Sequence, residues 1–82
     1  MTQDKILLIG AGGQIGSVLT KALRAAFGVD NVIASDLRPL KEQDGPTEIL
    51  DALNSRALAR VINKHKITQI YHLAAILSAS GE

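Results

Sequence analysis

The sequence has no cysteine and no tryptophan, and its 82 residues include one tyrosine and one phenylalanine. Without cysteine there is no disulfide framework and no thiolate nucleophile. Two histidines, His65 and His72, are too few for a typical zinc site, so we expect no metal. Aromatic residues make up 2% of the chain and the formal net charge is +1. Neither base stacking nor attraction to phosphates therefore favours a nucleic-acid partner.

The apolar runs of the sequence are short, and none approaches the length of about 20 residues that spans a bilayer. The N-terminal segment MTQDK lacks the charged and then apolar plan of a signal peptide. We therefore expect a cytoplasmic protein with no membrane partner. The composition, 46% hydrophobic and 21% charged, is that of a globular domain with room for one small core.

Four short apolar runs are separated by segments of different character. The first run, residues 5–9, is too short for a helix and rich in isoleucine and leucine, as is typical of a strand buried on both faces. The predicted strands are residues 5–9, 31–36 and 47–51, and residues 67–77 are predicted as a fourth strand that runs into a loop. The segment 37–46 has turn residues, mixed charge and no period, which predicts a solvated surface loop.

Two segments have the period of a helix. The first lies between Gly13 and Gly28, and its predicted core-facing stripe is Ile15, Val18, Leu19, Ala22, Leu23 and Ala26. Asn54 is a candidate N-cap for the second. Its stripe is Ala57, Leu58, Val61 and Ile62.

Strands that alternate with helices predict an α/β fold with a parallel sheet, because parallel strands need a crossover connection. Right-handed crossovers, with the fourth strand beside the first, give the strand order 3-2-1-4 and place the two helices on opposite faces. We therefore expect a Rossmann-type parallel sheet flanked by helices, an incomplete doubly wound domain. Ligands bind such sheets at the carboxyl ends of the strands where the order reverses.

Four glycines fall within the seven residues GAGGQIG, directly after the first predicted strand. Gly10, Gly13 and Gly16 have the spacing GxxGxxG, which suits a tight turn, a close approach to a pyrophosphate, and close packing of helix on strand. The GxGxxG form would need a glycine where Ile15 stands. By itself the motif leaves two alternatives, dinucleotide binding and a purely structural turn.

Two aspartates follow predicted strands at this end of the sheet. Asp36 lies 20 positions after Gly16, where a carboxylate would accept the ribose hydroxyls of NAD and repel the 2′-phosphate of NADP. Arg38 weighs slightly against that preference, and a turn former ahead of Pro39 is the alternative role of Asp36. Asp51 suits either the adenine amino group or the start of the second helix, and both remain open.

Several motifs together resemble a known superfamily. IGAGGQIG, VIASD, ILDAL and YHLAAILSASGE look like the N-terminal part of the extended short-chain dehydrogenases/reductases, the NAD-dependent epimerase/dehydratase group. More narrowly, NVIASDLR and HLAAILSASGE resemble the short-chain L-threonine 3-dehydrogenases. That resemblance implies NAD as cofactor and oxidation of the L-threonine β-hydroxyl to 2-amino-3-ketobutyrate. Alternatives are a nucleotide-sugar epimerase or dehydratase, and a non-catalytic module that senses NAD.

The resemblance also implies which positions meet the cofactor. Those expected along the pyrophosphate, the adenine and the rest of the cofactor are Gly10, Gly13, Gln14, Ile15, Gly16, Asp51, Ala52, Leu73, Ala74 and Ala75. Asp36 would bind the ribose. Ser78 would face the nicotinamide and the substrate, the alternative being a loop serine bonded to its own backbone.

Such enzymes use a tyrosine and a lysine in a YxxxK arrangement. Here the single tyrosine is Tyr71, in an apolar run, and Ala75 stands four positions later. We therefore expect residues 1–82 to be the N-terminal part of one NAD-binding domain, without catalytic residues and inactive alone, whose full-length parent is a homodimer. His65 is expected at a solvated helix end, and His72 as a packing residue.

Overall fold

Strands and helices alternate along residues 4–41 and 43–73, the part of the chain that the computed structural model describes. The elements in chain order are β1 (Ile6–Ile9), α1 (Gln14–Phe27), β2 (Val32–Asp36), β3 (Thr47–Ile49), α2 (Ser55–His65) and β4 (Gln69–His72). A short 3-10 helix that the sequence did not predict, Val29–Asn31, connects α1 to β2. Within this part of the chain, no helix is long and apolar enough to cross a membrane.

The four strands form one parallel sheet in the order β3-β2-β1-β4. β1 lies between β2 and β4, and Leu8 is in register with Ala34 on one side and Tyr71 on the other. The predicted parallel sheet and its strand order are confirmed. All carboxyl ends of the strands consequently lie along one edge of the sheet.

Each face of the sheet has its own hydrophobic core. On the α1 side the buried residues are Ile6, Leu8, Ala11, Leu23, Val32, Ala34 and Leu73. On the α2 side they are Leu7, Ile9, Ile33, Leu50 and Val61. Alternate residues of β1 thus enter opposite cores, so β1 is buried on both faces and the two helices cover opposite sides, as predicted.

α1 presents a different face to the sheet from the one that its apolar pattern predicts. Its buried residues are Gly16, Thr20, Leu23 and Arg24. Ile15 and Val18, predicted to face the core, are 57% and 70% exposed. The residues that face the sheet lie about one position further along the chain than the predicted ones. The close contact of Gly16 with the preceding turn fixes the rotation of α1 about its axis.

α2 agrees with its sequence pattern. The Asn54 side chain accepts a hydrogen bond from the Ala57 amide at 3.1 Å, which confirms the predicted N-cap. Val61 is buried and Ala57 and Leu58 pack against the same core. The helix ends where Lys66 adopts a left-handed conformation with φ 56°.

Arg24 is a buried charged side chain that ties α1 to the segment 37–46. Its guanidinium donates to the carbonyl of Val32 at 3.2 and 3.3 Å, to the carbonyl of Pro46 at 2.7 Å and to Gln43 Oε1 at 2.6 Å. Burial lowers the pKa of Arg24, and the charge of Asp44 acts in the opposite direction. The predicted solvated loop is therefore fixed at its second half by a side chain of the neighbouring helix.

Glu48 of β3 is in contact with the C-terminal end of α2. Its Oε2 lies 2.6 Å from His65 Nε2 and 2.9 Å from Lys64 Nζ. The side chains of His65 and Glu48 are 19% and 18% exposed. The expectation that His65 is a solvated residue at a helix end is wrong, because α2 lies close enough to β3 for the carboxylate to reach it.

This contact predicts a pH-dependent contribution to stability. Burial raises the pKa of Glu48, but the hydrogen bonds and positive charge of His65 and Lys64 lower it by more, so that this pKa lies below its usual value. Such a carboxylate stabilises the fold above its unfolded pKa of about 4.3, and this contribution is lost as the pH falls through the folded value. We expect Glu48→Gln to reduce the free energy of unfolding by about 1 kcal/mol at about pH 6 and by much less at about pH 3. Urea unfolding measures both values, and an equal loss at the two pH values would contradict the prediction.

Candidate functional site

The predicted site residues that the structure describes gather at the carboxyl ends of the strands. Gly10 follows β1, Asp36 ends β2, Asp51 lies two residues after β3, and Leu73 follows β4. Gly10 and Ala11 donate their backbone N–H groups to the Ser35 carbonyl at 3.0 and 2.9 Å. The glycine turn after β1 is therefore attached directly to the end of β2.

Two glycines of this turn are required by the geometry of the backbone. Gly10 has φ 89°, a left-handed conformation that side chains disfavour. A Cβ on Gly16 would lie 2.6 Å from the carbonyl oxygen of Gly10 and 2.7 Å from the Cα of Ala11. Gly16 therefore permits the start of α1 to pack directly on the turn, as the spacing of the motif predicts.

The N-terminus of α1 lies beside open space. Gly13 is its N-cap, with φ −81°, and a Cβ built there meets nothing within 4 Å. Among the described residues no side chain caps this helix, and its first turn contains no acidic residue. The first amides and the positive end of the helix dipole are therefore available to an anion such as a pyrophosphate. Gln14 and Ile15 occupy this exposed first turn.

Asp36 is held by two backbone amides. Its Oδ2 accepts from the Gly12 N–H at 2.8 Å, and its Oδ1 accepts from the Leu37 N–H at 2.7 Å. An ionised carboxylate has about four acceptor positions, so each oxygen keeps capacity for one hydroxyl donor. The side chain is thus oriented at the edge of the sheet and can still bind a diol.

A cleft of about 330 Å³ lies beside Asp36. Its lining residues are Ile9, Gly10, Asp36, Leu37, Leu50, Asp51, Ala52, Leu53 and His72. The walls are mostly apolar, with carboxylates of Asp36 and Asp51 among them. An apolar wall with a few polar groups suits a heterocycle joined to a sugar.

Asp51 is engaged in its own turn. Its Oδ1 accepts from the Leu53 N–H at 2.9 Å, and its carbonyl accepts from the Asn54 N–H at 2.9 Å. This is the contact expected if Asp51 assists the start of α2. The residue also lines the cleft, so a role toward adenine stays a prediction.

Of the other positions predicted to contact the cofactor, the structure describes two, Ala52 and Leu73. Ala52 is half-buried in the cleft wall, and Leu73 is 5% exposed at the end of β4. Ala74, Ala75 and Ser78 lie outside the described residues. Tyr71 is half-buried in β4 and packs against the core on the α1 side.

A second cleft, of about 370 Å³, lies on the other side of Asp36. Its lining residues are Ala11, Gly12, Ser17, Asp36, Arg38, Pro39, Leu40, Lys41 and Gln43. The sequence pattern of residues 37–46 predicted only a solvated loop, and no role for Gly12 was expected. The position of Gly12 within the glycine-rich turn was the sequence feature that could have indicated such a role.

Across residues 4–41 and 43–73 there is no cluster of three side chains able to bind a metal.

Comparison with known proteins relates this sequence to one family. A profile of the NAD dependent epimerase/dehydratase family matches residues 6–82. An uncharacterized epimerase/dehydratase of Staphylococcus haemolyticus is 39% identical over 96% of this chain and 26% of its own length. The mitochondrial L-threonine 3-dehydrogenase of Bos taurus is 40% identical over 98% of this chain and 22% of its own length.

Solved structures share the fold. A partial consensus L-threonine 3-dehydrogenase has a TM-score of 0.82 and 50% identity, over 84% of this chain and 23% of that protein. The GalE-like L-threonine dehydrogenase from Cupriavidus necator, in its holo form, has a TM-score of 0.80 and 46% identity over the same share of each. The chain spans about a quarter of the length of the relatives it matches.

Proposed function

This chain belongs to the NAD-dependent epimerase/dehydratase family, and on that basis we propose that it forms the cofactor-binding part of an oxidoreductase acting on L-threonine. Residues 1–82 are then the N-terminal part of one NAD-binding domain. The dependence of the family on NAD agrees with the cofactor predicted from the sequence. The activity, the substrate and a homodimeric state belong to the whole protein.

The observation that carries this proposal is the arrangement of the glycine turn and Asp36. The uncapped N-terminus of α1 and the Asp36 carboxylate are joined by the Gly12 hydrogen bond at one edge of the sheet. A dinucleotide presents an anionic pyrophosphate and a ribose diol that are covalently linked a few bonds apart. The two features thus match two successive chemical groups of one ligand.

The residues of this chain bind and orient the cofactor, which accepts a hydride when it is bound. Gly10, Gly13 and Gly16 shape the turn that lets phosphate approach the first amides of α1, beside Gln14 and Ile15. Asp36 accepts the ribose hydroxyls, and its negative charge disfavours a 2′-phosphate. These properties select NAD over NADP.

Asp51 and Ala52, which line the cleft beside Asp36, would meet the adenine. By resemblance to the family, Leu73, Ala74 and Ala75 would contact the cofactor and Ser78 would meet the nicotinamide and the substrate. We assign proton transfer to a tyrosine and lysine pair outside these 82 residues, because Tyr71 packs against the core from β4 and Ala75, not lysine, stands four positions later.

L-threonine is favoured as the substrate by the motifs NVIASDLR and HLAAILSASGE and by the relatives that carry that description. A second candidate is a nucleotide-sugar epimerase or dehydratase. It is favoured by the Staphylococcus haemolyticus relative, which is described only as an epimerase/dehydratase. Both candidates share the cofactor site, so only a substrate assay separates them.

We expect the product of the complete gene that contains this sequence to form NADH from NAD with L-threonine. Asp36→Ala removes the acceptor for the ribose diol and is expected to lower kcat/KM for NAD by about tenfold or more, the effect of losing hydrogen bonds to a charged group. Absorbance of NADH measures the rate. Asp30→Ala is a matched control, because Asp30 is an exposed carboxylate at the opposite end of β2.

Three other outcomes would redirect the proposal. Bound NAD with no turnover of threonine but turnover of a nucleotide sugar would favour the second candidate. Bound NAD with no turnover, in a gene that encodes no YxxxK pair, would favour an NAD-sensing module. A folded protein that does not bind NAD would contradict the cofactor site itself.

A further inference from the structure

Gly12 makes the closest contact between the glycine turn and the Asp36 side chain. Its N–H donates to Asp36 Oδ2 at 2.8 Å. A Cβ built on Gly12 would lie 2.7 Å from that same oxygen, 3.4 Å from Asp36 Cγ and 3.2 Å from Leu40 Cδ2. Any side chain at position 12 would therefore compete with the carboxylate for space.

The requirement at position 12 is one of space and not of backbone conformation. Among the described glycines, only Gly10 and Gly28 have a positive φ. An alanine at position 12 is thus compatible with the conformation of the turn. It conflicts only with the side chains of Asp36 and Leu40, and the atom concerned in Leu40 is the far end of a flexible side chain.

We propose that Gly12 is a positioning residue for Asp36 and, through that carboxylate, determines how the site recognises the 2′ position of the adenosine ribose. This inference rests on the proposed function. Gly12 supplies an amide that orients Oδ2 and leaves room for it, while Leu37 orients Oδ1. Both oxygens are thus oriented by backbone amides before a ribose binds.

The charges around Asp36 determine how moving its carboxylate would change the preference for NAD over NADP. The cleft on the far side of Asp36 is lined by Arg38 and Lys41, two groups of positive charge. With the carboxylate held by Gly12, a 2′-phosphate entering this region meets a negative charge. If Asp36 is forced from its position, NAD loses its ribose acceptor and the repulsion of a 2′-phosphate decreases, so that the preference for NAD falls.

A double-mutant cycle between positions 12 and 36 tests the proposal. The dissociation constants of NAD and NADP are measured by calorimetry for the wild-type product of the complete gene, Gly12→Ala, Asp36→Ala and the double variant. We expect Gly12→Ala to weaken NAD binding by about tenfold and to lower the ratio of NAD to NADP affinity by a similar factor. In the Asp36→Ala background, where no carboxylate remains to be displaced, the same change should have an effect of less than about twofold.

The melting temperatures of the same four proteins provide a readout that needs no cofactor. Gly12→Ala should lower the melting temperature in the wild type and leave it nearly unchanged in the Asp36→Ala background. Equal weakening of NAD and NADP, or equal losses in both backgrounds, would show that Gly12 acts on the turn as a whole and would overturn the proposal. If the wild type binds neither cofactor, the proposed function fails and the specificity role fails with it, whereas the temperature cycle still decides whether Gly12 positions Asp36.

Discussion

Gly16→Ala is expected to lower the free energy of unfolding by about 3 kcal/mol, at the upper end of the range for overpacking. The added Cβ would lie 2.6 Å from the Gly10 carbonyl oxygen, 2.7 Å from the Ala11 Cα and 2.8 Å from the Ala11 carbonyl carbon. All three are backbone atoms, so no side-chain rotation relieves the contact. Either α1 moves away from the sheet or the turn distorts. Urea unfolding of the variant and the wild type measures the loss.

Gly13→Ala is the matched control for this experiment. Gly13 belongs to the same turn, but a Cβ there meets nothing within 4 Å and its φ of −81° suits alanine. We expect its unfolding free energy to stay within about 1 kcal/mol of the wild type, since the poorer N-cap that alanine makes is partly offset by the lower entropy of the unfolded chain. Similar losses for the two variants would mean that the close contact at Gly16 is not what limits the packing of α1.

Arg24→Met is expected to reduce the free energy of unfolding by about 2 to 4 kcal/mol. Methionine keeps much of the apolar stem but removes the donors to the Val32 and Pro46 carbonyls, and each unsatisfied buried group costs about 1 to 3 kcal/mol. The loss is a large share of the roughly 5 to 15 kcal/mol by which native proteins are typically stable. The segment that carries Gln43 should also become more accessible, which faster amide hydrogen exchange there would reveal.

Two further variants separate the contacts of Arg24 from its charge. Arg24→Lys keeps the charge without the planar fork of donors, so it should recover only part of the stability. Arg60→Met removes an exposed arginine from α2 and should change the unfolding free energy by less than about 0.5 kcal/mol. Full recovery with lysine would show that charge alone accounts for the role of Arg24.

The strands and the ends of the helices were predictable because their signals are local. The short apolar run of β1 and the N-cap of α2 each depend on residues that lie within a few positions of one another. The strand order was predicted by supposing that the fourth strand returns beside the first, and right-handed crossover connections then place the two helices on opposite faces. Gly28 ends α1 with φ 100°, as its position in the sequence predicts.

The rotation of α1 was not predictable from its apolar residues. Ile15 and Val18 satisfy the helical period as well as Leu23 does, yet they are exposed and Arg24 is buried. A periodic pattern gives the width of an apolar stripe, and a shift of one residue turns the helix by about 100°. The steric contact of Gly16 with the turn fixes the angle, and the carbonyls of Val32 and Pro46 satisfy the buried arginine.

The candidate site was also predictable only in part. The spacing of the sequence indicated Asp36 and the glycine turn, and the family assigned from the motifs is confirmed. The contacts of Gly12 and His65 were not predicted, because their partners lie 24 and 17 positions away in the sequence. Contacts at such separations depend on which strands become neighbours and on how closely they approach.

By itself, the sequence determined the parallel α/β fold and the place of the glycine turn at the sheet edge, because hydrophobic period, glycine spacing and turn chemistry act over short distances. The dependence on NAD came from the resemblance of its motifs to one family, which the family match confirms. Only the tertiary structure decided which face of α1 is buried, how Arg24 holds the segment 37–46, and that Gly12 leaves room for the Asp36 carboxylate. These features are steric and hydrogen-bonded contacts between separate elements, and they exist only once the sheet has brought those elements together.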